Sequence, residues 1–240
     1  MTFVIPMAGK GSRFSQKGYK IPKFMIKVHN KSLFEYSMES LPIEIADQLI
    51  FIGLKEHENY GLSHFINSKV NHSNIQIILL EEVTRGQAET VLKAIDYILP
   101  NEELLIYNID TYFKSIQLKK KLLNKVSLQD GIIGAFKDIT SDDKWSFAKV
   151  DNNGKVIKTT EKIKISNYAL TGLYHFTKAE DFFNTVKFHI SNNMTEKNEF
   201  YIAPMYNFLI KEGKNYQLDI VDEFIPLGTP EEVNSFEEKN

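Results

Sequence analysis

The segment "IPMAGKGSRF" carries the clearest chemical signal in the chain and directly follows its first apolar run. It contains Gly9 and Gly11 and then Ser12 and Arg13, and Lys23 follows shortly afterwards, next to a proline. Glycines let backbone N–H groups approach phosphate oxygens closely, and an arginine guanidinium binds such oxygens in a forked geometry. We therefore predict a phosphate-binding loop here, although a surface turn with incidental basic residues has a similar composition.

Two well-known phosphate-binding signatures are absent from this segment. The P-loop pattern G-x-x-x-x-G-K-[ST] does not occur, and the dinucleotide pattern G-x-G-x-x-G fails at Phe14. The predicted loop therefore belongs to another class of nucleotide or phosphate site.

Further candidate residues are spread along the chain. Asp110 follows an apolar run, where a carboxylate suits Mg²⁺ bound to phosphates, or caps the next turn. Gln87 could read the edge of a base or satisfy free N–H groups at a helix start. Lys162 could neutralise a second phosphate, or it could be a solvated lysine on a strand. Glu199 could bind hydroxyls or an amine of a substrate, or it could stabilise the first turn of a helix.

Trp145, the only tryptophan, could form a wall of a substrate pocket, and a core or hairpin-packing role fits equally. The six histidines are scattered without the spacing of metal ligands, so we interpret them as structural or surface residues.

The elements that must position these residues are short apolar runs in the first half of the chain. Four of them, Phe3–Ile5, Leu49–Leu54, Ile75–Leu80 and Leu104–Ile109, lack polar alternation, as strands buried on both faces do. Helical patterns lie between them, including a capping box at Ser32–Glu35 and one apolar stripe of Val91, Leu92, Ile95 and Leu99. This alternation predicts an α/β fold whose site lies beyond the carboxyl ends of the strands.

The second half is richer in strand patterns. "GIIGAF", "SFAKVD", "KVIKTTEK" and "YALTGLYHF" are strand-like, and the turn Asp151–Gly154 joins two of them as a hairpin. Helical patterns follow over 179–189, over 203–211 and after Pro230, with a last strand at "YQLDIV". We predict one α/β domain with a mixed-sheet extension.

Composition excludes several function classes. The chain has 240 residues, of which 42% are hydrophobic and 25% charged, and its formal net charge of -2 favours neither nucleic acid nor an anionic membrane. It contains no cysteine, which excludes disulfides and thiolate chemistry. The first apolar run is too short for a signal peptide, and no stretch approaches the ~18 apolar residues of a membrane span. We expect a cytoplasmic protein, and a homodimer is compatible, since interface and core share one apolar signature.

These motifs together resemble a known family. "MAGKGSRF…PK" resembles the G-x-G-[ST]-R and P-K signature of the nucleotidyltransferases that join a nucleoside triphosphate to a phosphorylated acceptor, above all a sugar 1-phosphate. "RGQAETV", "LLIYNIDTYF", "TTEK", "ALTGLYHF", "NEFYIAPMY" and "PLGTPEEV" resemble further segments of that family, in order and over nearly the whole chain.

The resemblance implies a Rossmann-like, GT-A-type fold with a mixed, mostly parallel sheet, helices on both faces and a small β-rich acceptor-side extension. It implies a single domain over 1–240, with a nucleotide-binding half (1–130) and an acceptor-binding half (131–240). It also implies the roles of individual residues: Arg13, Lys23 and Asp110 in catalysis, with Asp110 binding Mg²⁺; Met7, Ala8, Gly9, Gly11, Ser12, Arg13, Gly86 and Gln87 at the nucleotide; and Trp145, Glu161, Lys162, Thr171, Gly172 and Glu199 at the acceptor.

One position departs from the family pattern. The family commonly has an aspartate, a second metal ligand, two residues before the closing G-T, and here that position is Pro226. Either one carboxylate suffices, or Asp222 or Glu223 replaces the missing ligand. Glycosyltransferases of this architecture usually carry D-x-D, and "DTY" at 110–112 lacks the second aspartate, which argues against glycosyl transfer.

Within the family, the combination of "PMAGKGSRF", "KWSF" and "NEFYIAPMYN" most resembles the capsule-cluster cytidylyltransferases of bacteria, which activate phosphoglutamine. The resemblance thus favours CTP, with phosphoglutamine as acceptor. A sugar-1-phosphate nucleotidyltransferase using CTP or UTP is the alternative, and a catalytically silent nucleotide-binding protein is the alternative of another class.

Overall fold

Thirteen strands and eight α-helices form in residues 1–124, 130–140 and 142–238, the part of the chain that the computed structural model describes. The strands are β1 (Thr2–Pro6), β2 (Lys27–Val28), β3 (Lys31–Ser32), β4 (Gln48–Leu54), β5 (Ile75–Leu80), β6 (Leu104–Tyr107), β7 (Thr111–Lys114), β8 (Gly131–Lys137), β9 (Ser146–Val150), β10 (Val156–Glu161), β11 (Tyr168–Phe176), β12 (Tyr216–Ile220) and β13 (Glu223–Pro226). The α-helices are α1 (Ser12–Gln16), α2 (Leu33–Glu39), α3 (Leu62–Lys69), α4 (Gln87–Leu92), α5 (Leu118–Leu123), α6 (Ala179–Ser191), α7 (Tyr206–Lys211) and α8 (Pro230–Glu238).

The main sheet has nine strands and runs through both halves of the chain. Its order is β10-β9-β11-β6-β1-β4-β5, and β8 pairs with β11 and β12 beside this path. The strands β6, β1, β4 and β5 are mutually parallel, whereas β11 is antiparallel to β6, β8 and β9. The predicted fold class, a mixed sheet with a parallel nucleotide-side half, is confirmed.

Both faces of β1, β4 and β6 are buried, as their lack of polar alternation predicts. The same prediction is wrong for β5, which is an edge strand of the sheet and only half-buried, with Leu79 38% exposed. In β1, Val4 belongs to a hydrophobic cluster on one face, and Phe3 and Ile5 belong to a second cluster on the other. Residues of α4, α6 and α7 contribute to the first cluster and residues of α2, α3 and α5 to the second. The sheet therefore lies between two helical layers, which leaves its strand ends as the open edge.

The predicted capping box and hairpin are confirmed. The Ser32 hydroxyl accepts a hydrogen bond from the Glu35 backbone N–H, and the Glu35 carboxylate accepts one from the Ser32 N–H, at the start of α2. Strands β9 and β10 pair antiparallel across the predicted turn, in which Gly154 has φ 79°.

The predicted stripe over residues 91–99 is wrong at its end. The α-helix ends at Leu92, a 3₁₀ turn covers Ile95–Tyr97, and Leu99 is 68% exposed. Pro100 follows Leu99, and a residue directly before a proline disfavours the helical conformation. The apolar periodicity of the sequence therefore continues past the end of the α-helix.

Among the described residues, no helix combines the length and apolar character that membrane crossing requires.

Candidate active site

A cleft of about 1140 Å³ lies at the edge where β1 and β6 end. The residues that the sequence assigns to the nucleotide all line it, namely Met7, Ala8, Gly9, Gly11, Ser12, Arg13, Gly86 and Gln87. So do Lys23 and Asp110 and all six residues assigned to the acceptor: Trp145, Glu161, Lys162, Thr171, Gly172 and Glu199. The fold thus brings the predicted site residues together in one cavity, while their roles stay predictions.

The glycine loop connects β1 to the short helix α1. Gly11 has φ 59°, in the left-handed region that favours glycine, and a β-carbon there would lie 3.3 Å from the Lys23 β-carbon. The Phe14 side chain is 2% exposed and anchors the helix, while Ser12 and Arg13 are exposed to the cleft. The loop therefore places a guanidinium where it can contact a bound anion without holding the core together.

Lys23 and Asp110 form an ion pair on the floor of the cleft. The Lys23 Nζ atom lies 3.3 Å from Asp110 Oδ2, and the two side chains are 17% and 38% exposed. Strand β6 ends at Tyr107, so Asp110 stands in the turn that leads into β7, at the open edge of the sheet. A positive and a negative group therefore stand side by side at the strand ends, as a metal-bound phosphate requires.

A second loop, residues 84–87, forms the wall on the β5 side. Gly86 has φ 142°, and the Gln87 side-chain amide donates a hydrogen bond to Asn108 Oδ1. The Asn108 backbone N–H in turn donates to the Gly172 carbonyl at 3.1 Å, and Gly172, with φ 86°, leaves room for the Asn108 side chain. Asn108 therefore joins the predicted base-reading loop to strand β11, a role that sequence reasoning missed.

The acceptor-side wall holds a buried carboxylate beside an ammonium. Glu161 is 6% exposed and accepts a hydrogen bond from the Ser146 hydroxyl, and its Oε1 lies 4.0 Å from Lys162 Nζ. Burial raises the pKa of Glu161, against the opposing effects of Ser146 and Lys162. Keeping this carboxyl group ionised in the folded protein therefore costs free energy, which is typical of a binding or catalytic site.

Lys162 is held by an aromatic neighbour. Its Nζ donates to the Tyr201 hydroxyl at 2.8 Å and lies 4.9 Å from the centre of the Tyr201 ring. Burial acts to lower the pKa of Lys162, but the Tyr201 hydroxyl and the charges of Glu161 and Glu199 raise it overall. Lys162 therefore stays cationic in the cleft, with φ 52° in the left-handed region, a conformation that is strained for a non-glycine residue.

Trp145 lines the cleft and is also packed from behind. Its ring meets Phe136 and Phe224 edge-on at 5.5 and 5.6 Å, and those two rings stack on each other at 3.8 Å. The Lys144 ammonium lies 4.6 Å above the indole and pairs with Glu232 at 3.0 Å. Trp145 therefore lines the cleft and also packs on aromatic residues of β8 and β13, while its contact with a substrate stays a prediction.

Thr171 belongs to the wall by its backbone. Its side chain is fully buried, its carbonyl accepts from the Thr111 hydroxyl at 2.9 Å, and a β-carbon on Gly134 would collide with its hydroxyl at 2.3 Å. Thr171 therefore lines the cleft with a buried side chain whose hydroxyl accepts a hydrogen bond from the Leu173 N–H at 3.4 Å, and its role at the acceptor stays a prediction.

The donors near Asp110 fit Mg²⁺ only as a one-carboxylate site. Pro226 pairs with Thr111 and lines the cleft, and the Leu227 N–H donates to the Asp110 carbonyl at 2.8 Å, so the departing position does lie beside Asp110. In residues 1–124, 130–140 and 142–238, no group of three or more His, Cys, Asp or Glu side chains could hold a metal ion. Mg²⁺ commonly takes one or two protein carboxylates and completes its shell with phosphate oxygens and water, which Asp110 and a triphosphate can supply.

Asp222 does not provide the missing ligand in this structure. It is not among the residues lining the cleft, and its Oδ2 accepts a hydrogen bond from the Ile116 backbone N–H at 2.9 Å. Glu223 pairs with Lys114 at 2.6 Å on the same strand edge. The prediction that one of them replaces the aspartate is therefore not supported by their positions, because both are engaged at the far end of the β7–β13 pair.

Glu232 also lines the cleft, but its carboxylate is engaged in capping α8. Its Oε2 accepts from the backbone N–H groups of Gly228 and Thr229 at 3.0 and 3.1 Å, and the Glu232 N–H donates to the Thr229 hydroxyl at 3.2 Å. This is a capping box that sequence inspection could have found in "TPEE". Sequence reasoning also missed Tyr201 and Ser146. Their contacts with Lys162 and Glu161 become visible only in the folded structure.

Comparison with known proteins gives one consistent family. Residues 3–218 match the family model described as "Nucleotidyl transferase". The solved structure of a nucleoside-diphosphate-sugar pyrophosphorylase from Vibrio cholerae RC9 is 33% identical, with a TM-score of 0.84 over 98% of this chain and 99% of that one. An inositol-1-phosphate CTP transferase from T. maritima is 14% identical, with a TM-score of 0.76 over 99% of this chain and 93% of that one, and shares the fold.

Among curated proteins, a bifunctional sugar-1-phosphate nucleotidylyltransferase/acetyltransferase from Sulfurisphaera tokodaii is 24% identical over 233 residues, which are 96% of this chain and 53% of that protein. The chain spans about half the length of the curated relatives it matches.

Proposed function

The chain belongs to the nucleotidyl transferase family, and on this basis we propose that it transfers a nucleoside monophosphate from a nucleoside triphosphate to a phosphorylated small-molecule acceptor and releases pyrophosphate. The observation that carries the proposal is the arrangement of three of the seven lysine and arginine residues that line one cleft. Arg13 stands on the glycine loop, Lys23 beside Asp110, and Lys162 on the opposite wall. Two phosphorylated substrates that meet there need this distribution of positive charge.

The reaction is an in-line displacement at phosphorus. An oxygen of the acceptor phosphate forms a bond to the α-phosphorus, and the bond from the α-phosphorus to the oxygen bridging it to the β-phosphate breaks, with both electrons leaving on pyrophosphate. The attacking oxygen is already an anion, so no general base is required. The chain's own task is to hold two mutually repelling anions in contact and to neutralise their charge.

We assign the cationic residues to successive phosphates. Arg13 binds the β- and γ-phosphates and stabilises them as they leave, Lys23 lies between the α-phosphate and the acceptor, and Lys162 binds the acceptor phosphate. Asp110 would hold Mg²⁺, which would supply further charge neutralisation at the phosphates. Gly86 and Gln87 contact the base, with Asn108 fixing the orientation of the Gln87 amide.

For the substrates, we propose CTP and phosphoglutamine, with a role in bacterial capsule modification. The support is the resemblance of the glycine loop, "KWSF" and "NEFYIAPMYN" to capsule-cluster cytidylyltransferases. On the acceptor side, Glu161 and Glu199 supply carboxylates that suit an amine, and Lys162 supplies a cation for the phosphate. A cytoplasmic location and a homodimer stay predictions.

The second candidate is a sugar-1-phosphate nucleotidyltransferase that uses CTP or UTP. The names of the Vibrio and Sulfurisphaera relatives favour it, since both refer to sugar substrates, and Glu161 and Glu199 can equally accept hydrogen bonds from sugar hydroxyls. The candidate of another class, a nucleotide-binding protein without turnover, is favoured by Pro226 alone.

Pyrophosphate release with Mg²⁺ tests all three candidates. The four nucleoside triphosphates are crossed with phosphoglutamine, phosphocholine and common sugar 1-phosphates. Release with CTP and phosphoglutamine supports the first candidate, release only with a sugar 1-phosphate supports the second, and nucleotide binding without release from any pair supports the third.

A further inference from the structure

Phe200 lies where the base-side loop and the acceptor side of the cleft touch. Its backbone N–H donates to the Arg85 carbonyl at 2.9 Å, and its carbonyl accepts from the Ala88 N–H at 3.0 Å. A β-carbon on Gly86 would lie 2.5 Å from the Phe200 nitrogen, so the two backbones are in direct contact. Two hydrogen bonds and a close approach thus dock residue 200 onto the loop that we assign to the base.

The Phe200 side chain strengthens this junction. It is 1% exposed and belongs to the hydrophobic cluster that contains Ala88 and Val91 of α4. The exposed Arg85 guanidinium lies 4.9 Å from the ring centre and is held there by Glu89, whose carboxylate accepts from it at 2.7 Å. The ring therefore couples residue 200 to the loop over residues 84–88 by packing as well as by backbone hydrogen bonds.

The residues on either side of Phe200 reach the acceptor pocket. Tyr201 accepts the hydrogen bond from Lys162, and Glu199 lines the cleft. Glu199 also closes a two-residue turn with Glu196 through hydrogen bonds of 2.9 and 3.0 Å, and the turn residues Lys197 and Asn198 have φ 49° and 66°. This tight hairpin, residues 196–199, has its position in the cleft set by the docking of Phe200.

We propose that Phe200 is a positioning residue through which nucleotide binding fixes the acceptor side of the cleft. When a base binds to Gly86 and Gln87, it restrains the backbone of residues 84–88. Phe200, which is hydrogen-bonded to this segment, is restrained with it. Glu199 and Tyr201, and through Tyr201 the Lys162 ammonium, are then fixed before the acceptor arrives. This inference rests on the proposed function, and it requires positive coupling between the two substrates, which is reciprocal.

Amide hydrogen exchange of the full chain tests this coupling without an acceptor. The protein is measured with Mg²⁺ alone and with Mg²⁺ plus CTP, UTP, GTP or ATP. We expect the nucleotide that binds to slow exchange about fivefold or more both in segment 84–92 and in segment 196–202. Segment 142–146 lines the same cleft and touches the coupled residues only through Lys162, whose backbone N–H donates to the Trp145 carbonyl at 3.0 Å. It serves as the internal control and should be protected clearly less than segment 196–202.

Protection of segment 84–92 without protection of segment 196–202 would overturn the inference while leaving the proposed function intact. Equal protection of segment 142–146 would also overturn it, because a general tightening of the cleft would then explain the result. If none of the four nucleotides protects segment 84–92, the proposed function fails and the inference fails with it.

The variant Phe200→Leu tests the role of the side chain. We expect CTP, or the nucleotide that binds in its place, still to protect segment 84–92, with at least half of the protection of segment 196–202 lost. Phe183→Leu is the matched control, since Phe183 is 3% exposed in the same hydrophobic cluster and lies on α6. Unchanged protection in Phe200→Leu, or the same loss in Phe183→Leu, would remove Phe200 from the coupling; the measurement on the unaltered chain stands even if the variant does not fold.

Discussion

The Lys23 ammonium lies 3.3 Å from the Asp110 carboxylate at the floor of the cleft, although the two residues come from different βα units. In the absence of substrate these groups neutralise each other. A triphosphate with its metal ion would offer Lys23 a phosphate and Asp110 a cation, so both half-buried groups would change partner without leaving either charge unpaired. The pair is thus a resting state of the proposed catalytic centre.

The first prediction concerns the carboxylate. Asp110→Asn should reduce Mg²⁺-dependent pyrophosphate release by about 100-fold or more, because the amide keeps the shape and loses the charge. The melting temperature should change by only about 1–2 °C, since the side chain is 38% exposed. Asp222→Asn is the matched control, because Asp222 lies outside the cleft. Activity close to normal in Asp110→Asn would remove Asp110 from the proposed metal site.

The second prediction concerns the guanidinium on the glycine loop. Arg13→Ala should lower kcat about 100-fold or more without unfolding the protein, because Arg13 is exposed and makes no hydrogen bond that supports α1. Lys17→Ala removes a cation at the end of the same helix and should leave kcat unchanged, because Lys17 forms an exposed ion pair with Glu231. A large drop in melting temperature for Arg13→Ala would mean that the arginine is structural.

The residues predicted from the sequence lie together because simple rules place them. The glycine loop and Asp110 follow strands of one parallel sheet, and such strands end at a common edge. Buried strands also have a strong compositional signal, and β1, β4, β5 and β6 all form where the apolar runs predict them.

Other features of the site have no comparable signal in the sequence. The docking of Phe200 on the base-side loop combines backbone hydrogen bonds, which any residue can form, with ring packing that only the folded chain brings about. Asn108 and Tyr201 acquire their roles from partners that are distant in sequence, Gln87 and Lys162. Leu99 continued a helical periodicity although the helix had ended, because periodicity records apolar spacing and not the backbone hydrogen bonds.

The third prediction separates the acceptor from the nucleotide. Lys162→Ala should raise the KM for the acceptor about tenfold or more, because a charge-assisted contact to its phosphate is lost, while the KM for the nucleotide stays nearly constant. Lys158→Ala removes an exposed lysine on strand β10, which ends one residue before Lys162, and should change neither value. A selective rise in the nucleotide KM would contradict the assignment of Lys162 to the acceptor.

The fourth prediction follows from the buried carboxyl group of Glu161. Burial raises the pKa of Glu161 in the folded protein above the pKa of the same group in the unfolded chain. As the pH rises between these two pKa values, the group ionises in the unfolded chain first, and the folded state loses stability. Above both pKa values the cost stays constant, and below the ordinary carboxyl pKa of about 4.3 it vanishes.

Glu161→Gln removes this ionisation and keeps the shape and the hydrogen bond from Ser146. At pH 7 the variant should melt at a higher temperature than the unaltered chain, by about 2–4 °C for each kcal/mol of relieved cost, and the difference should shrink as the pH falls towards 4. Its KM for the acceptor should nevertheless rise, because the carboxylate that faces the acceptor is gone. Glu237→Gln, on the exposed side of α8, should alter neither stability nor KM. If Glu161→Gln melts at a lower temperature at pH 7, the carboxylate stabilises the fold. If the difference in melting temperature is the same at every pH, it does not come from ionisation of Glu161, and an unchanged KM would remove Glu161 from the acceptor site.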